Sequence, residues 1–165
     1  MSISGPWEIE FLEGGPELPV PLGMEQPGSW TKFTGESYRS FSGTARYTTT
    51  FQLEAVGAHL LDLGRVAETC RVRVNGSEAG KSFFPPHRFD VSSLLKAGEN
   101  TLEIEVTNLA ANRIADLDRR KVPWKAFHEI NFVNIEYKSF DASAWEPLES
   151  GLLGPVRLLP LAPPE

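Results

Sequence analysis

The sequence is poor in cysteine, in long apolar segments and in basic residues. Its 165 residues include one cysteine, Cys70, which excludes an internal disulfide and a zinc site built from several cysteines. A single thiol indicates no particular redox compartment. No stretch approaches the roughly 18 apolar residues of a membrane-spanning helix. Sixteen basic residues stand against 22 acidic ones, for a net charge of −6, which argues against binding to nucleic acids or anionic membranes.

The first residues carry no recognisable targeting signal. Residues 1–7 contain neither the basic segment nor the apolar segment that begins a signal peptide. We therefore predict no leader within this sequence and leave its localisation open. If the chain is one domain of a longer exported protein, we expect that protein in the periplasm or outside the cell.

Apolar and polar residues alternate with a period of two in several short segments. These segments are 7–11, 47–53, 61–63, 72–74, 102–106 and 156–158. Such alternation is typical of strands with one buried and one solvent-facing side. The 14 glycines and 13 prolines leave little room for long helices. Length and pattern together predict one all-β domain over residues 1–165, either a sandwich or a barrel.

Local signals place turns and two short helical segments between the strands. Asn75-Gly76 is a strong two-residue hairpin signal. Residues 92–95 are predicted to form one helical turn, capped by Ser92 or Asp90. A second short helix is predicted over residues 112–120.

Two segments, 14–43 and 108–151, break the strand pattern and are rich in aromatic residues. Long irregular segments inside a domain are often functional. Trp30, Trp124 and Trp145 lie in them, and an indole on a loop can stack on the apolar face of a sugar ring. For any single aromatic residue, however, we favour a role in pinning the loop to the sheets.

No residue pattern predicts a catalytic centre. Glu8 with Glu10, and Glu103 with Glu105, have the spacing of two carboxylates on one strand face, which overlaps that of an inverting glycosidase. We favour a solvated sheet face, because these glutamates occupy the polar phase of the strands. The sequence also lacks the Gly-x-Ser-x-Gly elbow of a serine nucleophile.

Metal and cofactor motifs are likewise missing from the sequence. The three histidines have no metal-ligand spacing, and there is no loop of alternating acids for calcium. We predict no cofactor and no metal site made by side chains. A structural calcium bound by backbone carbonyl groups would leave no trace in a sequence.

The order of segments resembles a known family. The resemblance rests on residues 41–51, 61–64, 72–76, 88–95, 98–102, 106–108 and 150–158. Together they resemble the sugar-binding, galactose-binding-like jelly-roll domain of family 2 glycoside hydrolases. Residues 106–113 and 150–156 look closest to the version in bacterial α-L-rhamnosidase-type enzymes. The resemblance implies a β-sandwich with jelly-roll topology.

The family resemblance also implies a noncatalytic domain of a larger enzyme. Family 2 catalytic carboxylates lie on a separate barrel, for which 165 residues leave no room. We therefore expect carbohydrate recognition, or support on the substrate side, within a polysaccharide-degrading bacterial glycoside hydrolase. The expected partners are a carbohydrate, including plant cell-wall or pectic oligosaccharides, and the catalytic domain of the parent enzyme.

The predicted sugar-binding residues come from the two irregular segments and one strand end. The expected stacking surfaces are Trp30, Trp124 and Trp145, and the expected polar contacts are Arg88, Asn112, Arg113 and His128.

Two other functions stay open at this stage. The chain could be a structural domain that packs on a catalytic barrel and binds no sugar. It would then expose an apolar patch of more than a few hundred Å² when isolated. A small independent hydrolase is the weakest alternative, because it needs titratable groups converging in one pocket.

Overall fold

A computed structural model describes residues 1–126, 133 and 135–161, and strand residues form 44% of these described residues. The strands are β1 (Trp7–Gly15), β2 (Leu22–Met24), β3 (Ser42–Leu53), β4 (His59–Asp62), β5 (Arg65–Ala67), β6 (Thr69–Val74), β7 (Ser77–Ser82), β8 (Arg88–Asp90), β9 (Gly98–Thr107), β10 (Gly151–Gly154) and β11 (Arg157–Pro160). The helices are the 3-10 turn Trp30–Lys32, α1 (Glu36–Ser40) and α2 (Ala111–Arg119). In this part of the chain, no helix is long and apolar enough to cross a membrane.

Six strands form an antiparallel sheet in the order β2-β1-β3-β9-β6-β7. The central pair, β3 and β9, is in register along ten residues of each strand, from Thr44 opposite Thr107 to Leu53 opposite Gly98. The second layer contains the three-stranded sheet β11-β4-β8 and the pair β10-β5. This arrangement confirms the predicted all-β fold and β-sandwich class.

The core lies between the two layers and follows the predicted alternation. On β1, Trp7 and Ile9 are buried while Glu8 and Glu10 face solvent. Residues of the second layer close the same cluster, among them Leu61, Phe89 and Leu158. Full burial of a large apolar side chain contributes about 1.5–3 kcal/mol, so the shared core is the main source of stability.

The outer face of the large sheet is a network of opposite charges. Glu105 lies 3.2 Å from Arg46, 3.5 Å from Arg71 and 3.0 Å from Arg73 across three strands. Burial raises the pKa of the Glu105 carboxyl. Hydrogen bonds from Arg46 and Arg73, together with their positive charges, outweigh this effect, so the pKa is lowered overall. The glutamate pairs suspected of acid–base chemistry thus lie on a salt-bridged sheet surface.

Asn75-Gly76 forms the predicted hairpin turn between β6 and β7. Both residues have positive φ, 52° and 80°, as a type I′ turn requires. The Asn75 side chain also donates through Nδ2 to the Leu94 carbonyl at 2.9 Å and accepts through Oδ1 from the Thr101 backbone amide at 3.0 Å. The turn residue therefore ties the hairpin to the chain that leads into β9.

The predicted second helix is found one residue earlier than expected, at Ala111–Arg119. Its approach is fixed by Asn108, whose side chain accepts from the Gly43 amide at 2.9 Å and donates to the Phe41 carbonyl at 3.0 Å. These bonds hold α2 at the end of the sandwich where β3 begins. The position of the segment that follows α2 is therefore fixed, at its beginning, relative to the sandwich.

Candidate functional site

Trp30, one predicted stacking surface, belongs to the core. Its side chain is 0% exposed, and its ring lies edge-to-face with Phe11 and Phe41 at centroid distances of 5.7 and 5.8 Å. A sugar ring needs an accessible indole face, which Trp30 does not have. The assignment of Trp30 to the sugar-binding set is therefore corrected: it pins the segment before β3 to the sandwich.

Asn112 and Arg113, two predicted polar contacts, hold the fold together around α2. Asn112 is buried; its side-chain amide donates to the Leu148 carbonyl at 2.9 Å and accepts from the Leu148 amide at 2.8 Å. Arg113 lies 2.6 Å from the buried carboxylate of Asp116. Asn112 is too enclosed to reach a ligand, which corrects that prediction, and Arg113 is occupied by an internal ion pair.

The other two predicted polar residues do not join a common site in the described structure. Arg88 lies on β8 and pairs with Asp62 of β4 at 2.9 Å. None of its described contacts reaches the segment after α2. His128 lies outside the described residues.

The structure does bring Trp124 and Trp145 together, with Phe140 between them. The Trp124 and Phe140 ring centroids are 6.2 Å apart, and those of Phe140 and Trp145 are 5.6 Å apart, both edge-to-face. Lys125 Nζ lies 5.5 Å from the ring centroids of both Trp124 and Phe140. Trp145 remains 45% exposed. We call Trp124, Phe140 and Trp145 the outer aromatic cluster.

Asp118, in the last turn of α2, anchors this cluster. Its carboxylate accepts from Trp124 Nε1 at 2.8 Å and from the Ala142 amide at 2.8 Å, and it lies 3.1 Å from Lys125 Nζ. Burial raises the pKa of the Asp118 carboxyl. These hydrogen bonds and the charge of Lys125 outweigh this effect, so the pKa is lowered overall. The ionised carboxylate thus ties two loop segments to the helix.

A cleft of about 820 Å³ opens beside the outer aromatic cluster. Trp124, Phe140, Val122 and Pro123 supply apolar wall, and charged residues of α2 and of the loop supply polar groups. Concave sites for small ligands commonly combine an apolar wall with a few polar groups. This arrangement suits a sugar, whose ring has an apolar face and a polar rim.

Sequence reasoning missed Asp118, Lys125 and Phe140 as members of this site. Phe140 is one of many loop aromatics, and nothing in the sequence distinguishes it from the rest. The one usable signal was the acidic residue Asp118, six positions before Trp124, because a half-buried indole N–H requires a hydrogen-bond acceptor.

The one thiol of the chain is not poised as a nucleophile. Cys70 is buried, with its Sγ 3.8 Å from His87 Nδ1, and His87 Nδ1 is 2.9 Å from Ser82 Oγ. Burial raises the pKa of Cys70 to about 11 and lowers that of His87. Both groups are therefore neutral near pH 7, whereas an activated cysteine is a thiolate.

Within the described residues, no group of three or more His, Cys, Asp and Glu side chains is placed to hold a metal ion. The predicted absence of a cofactor stays a prediction, as does the calcium site made of backbone carbonyls.

Comparison with known proteins supports a glycosidase context. A putative β-glucuronidase of Formosa agariphila is 34% identical over 180 aligned positions, which cover 94% of this chain and 15% of that protein. The solved rhamnosidase from Novosphingobium sp. PP1Y superposes with a TM-score of 0.75 at 28% identity, over 96% of this chain and 14% of the enzyme. A β-glucuronidase of Ruminococcus gnavus superposes with a TM-score of 0.56 at 28% identity, over 66% of this chain and 20% of that enzyme.

The chain thus spans about a seventh of the length of the first two of these proteins. The family model described as "Glycosyl hydrolase 2 galactose-binding domain-like" matches residues 35–146. Because this match covers more than half of the sequence and agrees with the observed β-sandwich, the resemblance seen in the sequence is confirmed. The chain belongs to the glycosyl hydrolase 2 galactose-binding domain-like family.

Proposed function

We propose that the chain is a noncatalytic domain of a larger glycoside hydrolase and that it contacts carbohydrate through the cleft beside the outer aromatic cluster. The relatives support the first half of this proposal, because each is several times longer than this chain. Periplasmic or secreted localisation of the parent protein stays a prediction.

One observation carries the carbohydrate proposal: Trp145 is 45% exposed at the edge of an otherwise packed aromatic cluster. Phe140 supports its ring from one side, and Asp118 and Lys125 fix the neighbouring Trp124. A rigid, accessible indole can bind a sugar ring without first losing much conformational freedom.

The placement of the acidic residues supports a noncatalytic role. Glu103 and Glu105 lie beside Arg46 on the outer sheet face. In the cleft, Asp118 accepts three hydrogen bonds that stabilise its ionised form. A glycosidase needs one carboxyl that keeps its proton and a second that loses it, and neither site meets this requirement.

The test is glycan binding by Trp145→Ala and Trp124→Ala. The chain is screened on a glycan array that includes rhamnose- and galactose-containing pectic fragments, the predicted ligand class. Hits are measured by isothermal titration calorimetry. We expect each substitution to reduce affinity by tenfold or more while circular dichroism shows an intact fold.

Phe84→Ala is the matched control for these two variants. Phe84 is 81% exposed but neither lines the cleft nor belongs to the outer aromatic cluster, so its truncation should leave glycan affinity unchanged. If neither tryptophan variant loses affinity for a glycan that the wild type binds, the cleft is not the sugar site.

A second candidate function is docking onto the rest of the parent enzyme without sugar binding. A groove of about 750 Å³ supports it, lined by Phe83, Phe84, Val66, Leu148 and Leu153. Phe83 is 63% exposed and Phe84 81%, and adjacent exposed aromatic residues are typical of interaction surfaces.

If the chain functions in docking alone, it should bind no glycan and should bind the parent enzyme from which this domain has been removed. The parent enzyme lacking this domain would bind the separate chain, and the double substitution Phe83→Ser and Phe84→Ser would abolish that binding. Pull-down of the truncated enzyme by wild-type and variant chains measures both outcomes.

A further inference from the structure

Positive residues gather at the cleft although the chain as a whole is acidic. Its lining includes Arg119, Lys121 and Lys125 against Asp118 and Asp141, whereas the chain carries a net charge of −6. A cleft whose charge opposes that of the molecule attracts ligands of the opposite sign.

Most of these charges are already paired within the protein. Lys125 is bound to Asp118 at 3.1 Å, and Arg119 lies 3.8 Å from Glu36. Asp141 accepts a hydrogen bond from the Ser143 amide at 2.8 Å. Lys121 is exposed and forms no ion pair with any residue that the structure describes. A ligand can therefore pair with Lys121 without first breaking an ion pair within the protein.

The backbone at Lys121 gives an independent reason to assign it a role. The Lys121 amide donates to the Asp118 carbonyl at 3.1 Å, and the Val122 amide donates to the Leu117 carbonyl at 2.9 Å. This pair of bonds is the Schellman motif that ends a helix, and its central residue is usually glycine. Lys121 has φ 55°, a left-handed conformation that is unfavourable for a lysine.

A residue held in a disfavoured conformation points to a function for its side chain. A lysine here also offsets the helix dipole, but Arg119 and Arg120 already provide positive charge in the same turn. Helix termination alone would thus be served better by glycine at position 121.

We infer that Lys121 is a specificity-determining contact and that the cleft takes an acidic saccharide, whose carboxylate or sulfate group pairs with the Lys121 ammonium. This inference rests on the proposed function and adds the chemical class of the ligand. The sugar ring would stack on the outer aromatic cluster, of which Trp124 and Phe140 line the cleft together with Lys121, while its anionic group reaches the end of α2.

The test uses pairs of ligands that differ only in charge. One pair is an oligogalacturonide and its methyl-esterified form; the other is a sulfated rhamnan oligosaccharide and its desulfated form. Calorimetry at low and high salt is expected to show tighter, salt-sensitive binding of the acidic member of at least one pair. The pair that responds identifies carboxylate or sulfate as the recognised group.

Lys121→Gln should weaken binding of that acidic ligand by about threefold to fivefold, the range for a solvent-exposed charge pair, and leave its neutral counterpart unchanged. Lys96→Gln, at an exposed lysine elsewhere in the fold, is the control and should change neither. Lys121→Gly should reduce the affinity for the acidic ligand by the same factor without lowering the melting temperature. If the role of Lys121 were purely structural, this substitution would not reduce affinity while the fold stays equally stable.

Two outcomes overturn the inference while the proposed function stands. In the first, the neutral ligand binds as tightly as the acidic one in both pairs; in the second, Lys121→Gln has no effect on a ligand whose binding Trp145→Ala removes. Absence of binding to every ligand, or affinity that neither Trp145→Ala nor Trp124→Ala changes, instead overturns the proposed function and this inference with it.

Discussion

Two aromatic clusters in this protein share one packing geometry and differ in burial. The inner cluster is Phe11, Trp30 and Phe41, with edge-to-face centroid distances of 5.0–5.8 Å and exposures of 4% or less. The outer aromatic cluster has distances of 5.6 and 6.2 Å, yet Trp145 is 45% exposed. Ring packing therefore does not distinguish a buried aromatic cluster from an exposed one.

The elements that cover each cluster account for the difference. β10 passes so close to the inner cluster that a Cβ at Gly151 would collide with Tyr47 Oη and the Trp30 ring. Nothing comparable covers Trp145 in the described structure; its cluster is attached to α2 through Asp118. The same residue type thus becomes core on one side and surface on the other.

The largest effect is expected from Trp30→Ala, which removes the centre of the inner cluster. Truncation of a fully buried tryptophan leaves a cavity and lowers the free energy of unfolding by about 3–5 kcal/mol. Urea denaturation followed by far-UV circular dichroism measures it. A loss below 1 kcal/mol would show that the inner cluster is not part of the core.

A smaller loss is expected from Asn112→Ala, which breaks the link between α2 and the chain leading to β10. The Leu148 amide loses the Asn112 acceptor, and the Leu148 carbonyl keeps only the Ser150 hydroxyl. Because each lost hydrogen bond costs about 0.5–1.5 kcal/mol, we expect a loss of about 1–3 kcal/mol. Gln52→Ala, at an exposed amide on β3, is the control and should change stability little. Faster proteolysis within residues 135–149 would accompany the loss, and unchanged proteolysis would contradict it.

A pH-dependent loss is expected from Asp118→Asn at the anchor of the outer cluster. Because the folded-state pKa of Asp118 is lowered, its stabilisation is complete above the unfolded pKa of about 3.9 and disappears as pH falls through the folded value. The variant should melt below the wild type at pH 7, and the two should converge below about pH 4. Differential scanning calorimetry measures both; a constant difference across this range would exclude the ionised anchor.

The smallest effect on stability is expected from Trp145→Ala, the direct counterpart of Trp30→Ala. Its ring is 45% exposed and packs edge-to-face on Phe140, so the free energy of unfolding should fall by about 1 kcal/mol, less than in Trp30→Ala. Urea denaturation under the conditions used for Trp30→Ala allows a direct comparison. Equal losses in the two variants would remove the distinction between the clusters.

The strands were predictable because burial on one face imposes a period of two. Trp7 and Ile9 on β1, and Leu102 and Ile104 on β9, followed this rule. The Asn75-Gly76 turn was equally predictable, because its positive φ values restrict the residues that fit. The helix over Ala111–Arg119 was found within one residue of its predicted start.

The candidate site was predicted only in part. The structure brings Trp124 and Trp145 to either side of Phe140, and their role as sugar contacts stays a prediction. Trp30 was selected on the same grounds and lies in the core. Asn112 has the chemistry of a ligand contact, yet its amide is used by Leu148. Local sequence shows the chemistry of a side chain. It does not show which residues elsewhere in the chain bury that side chain or form hydrogen bonds with it.

By itself, the sequence determined the strand pattern, its principal hairpin turn and the family, because these depend on neighbours along the chain and on the order of segments. Tertiary structure alone decided which tryptophan is enclosed, which asparagine is occupied and which lysine remains accessible beside a cleft. Those outcomes depend on contacts between residues far apart in sequence: Asn112 with Leu148, and Trp30 with the strand that contains Gly151.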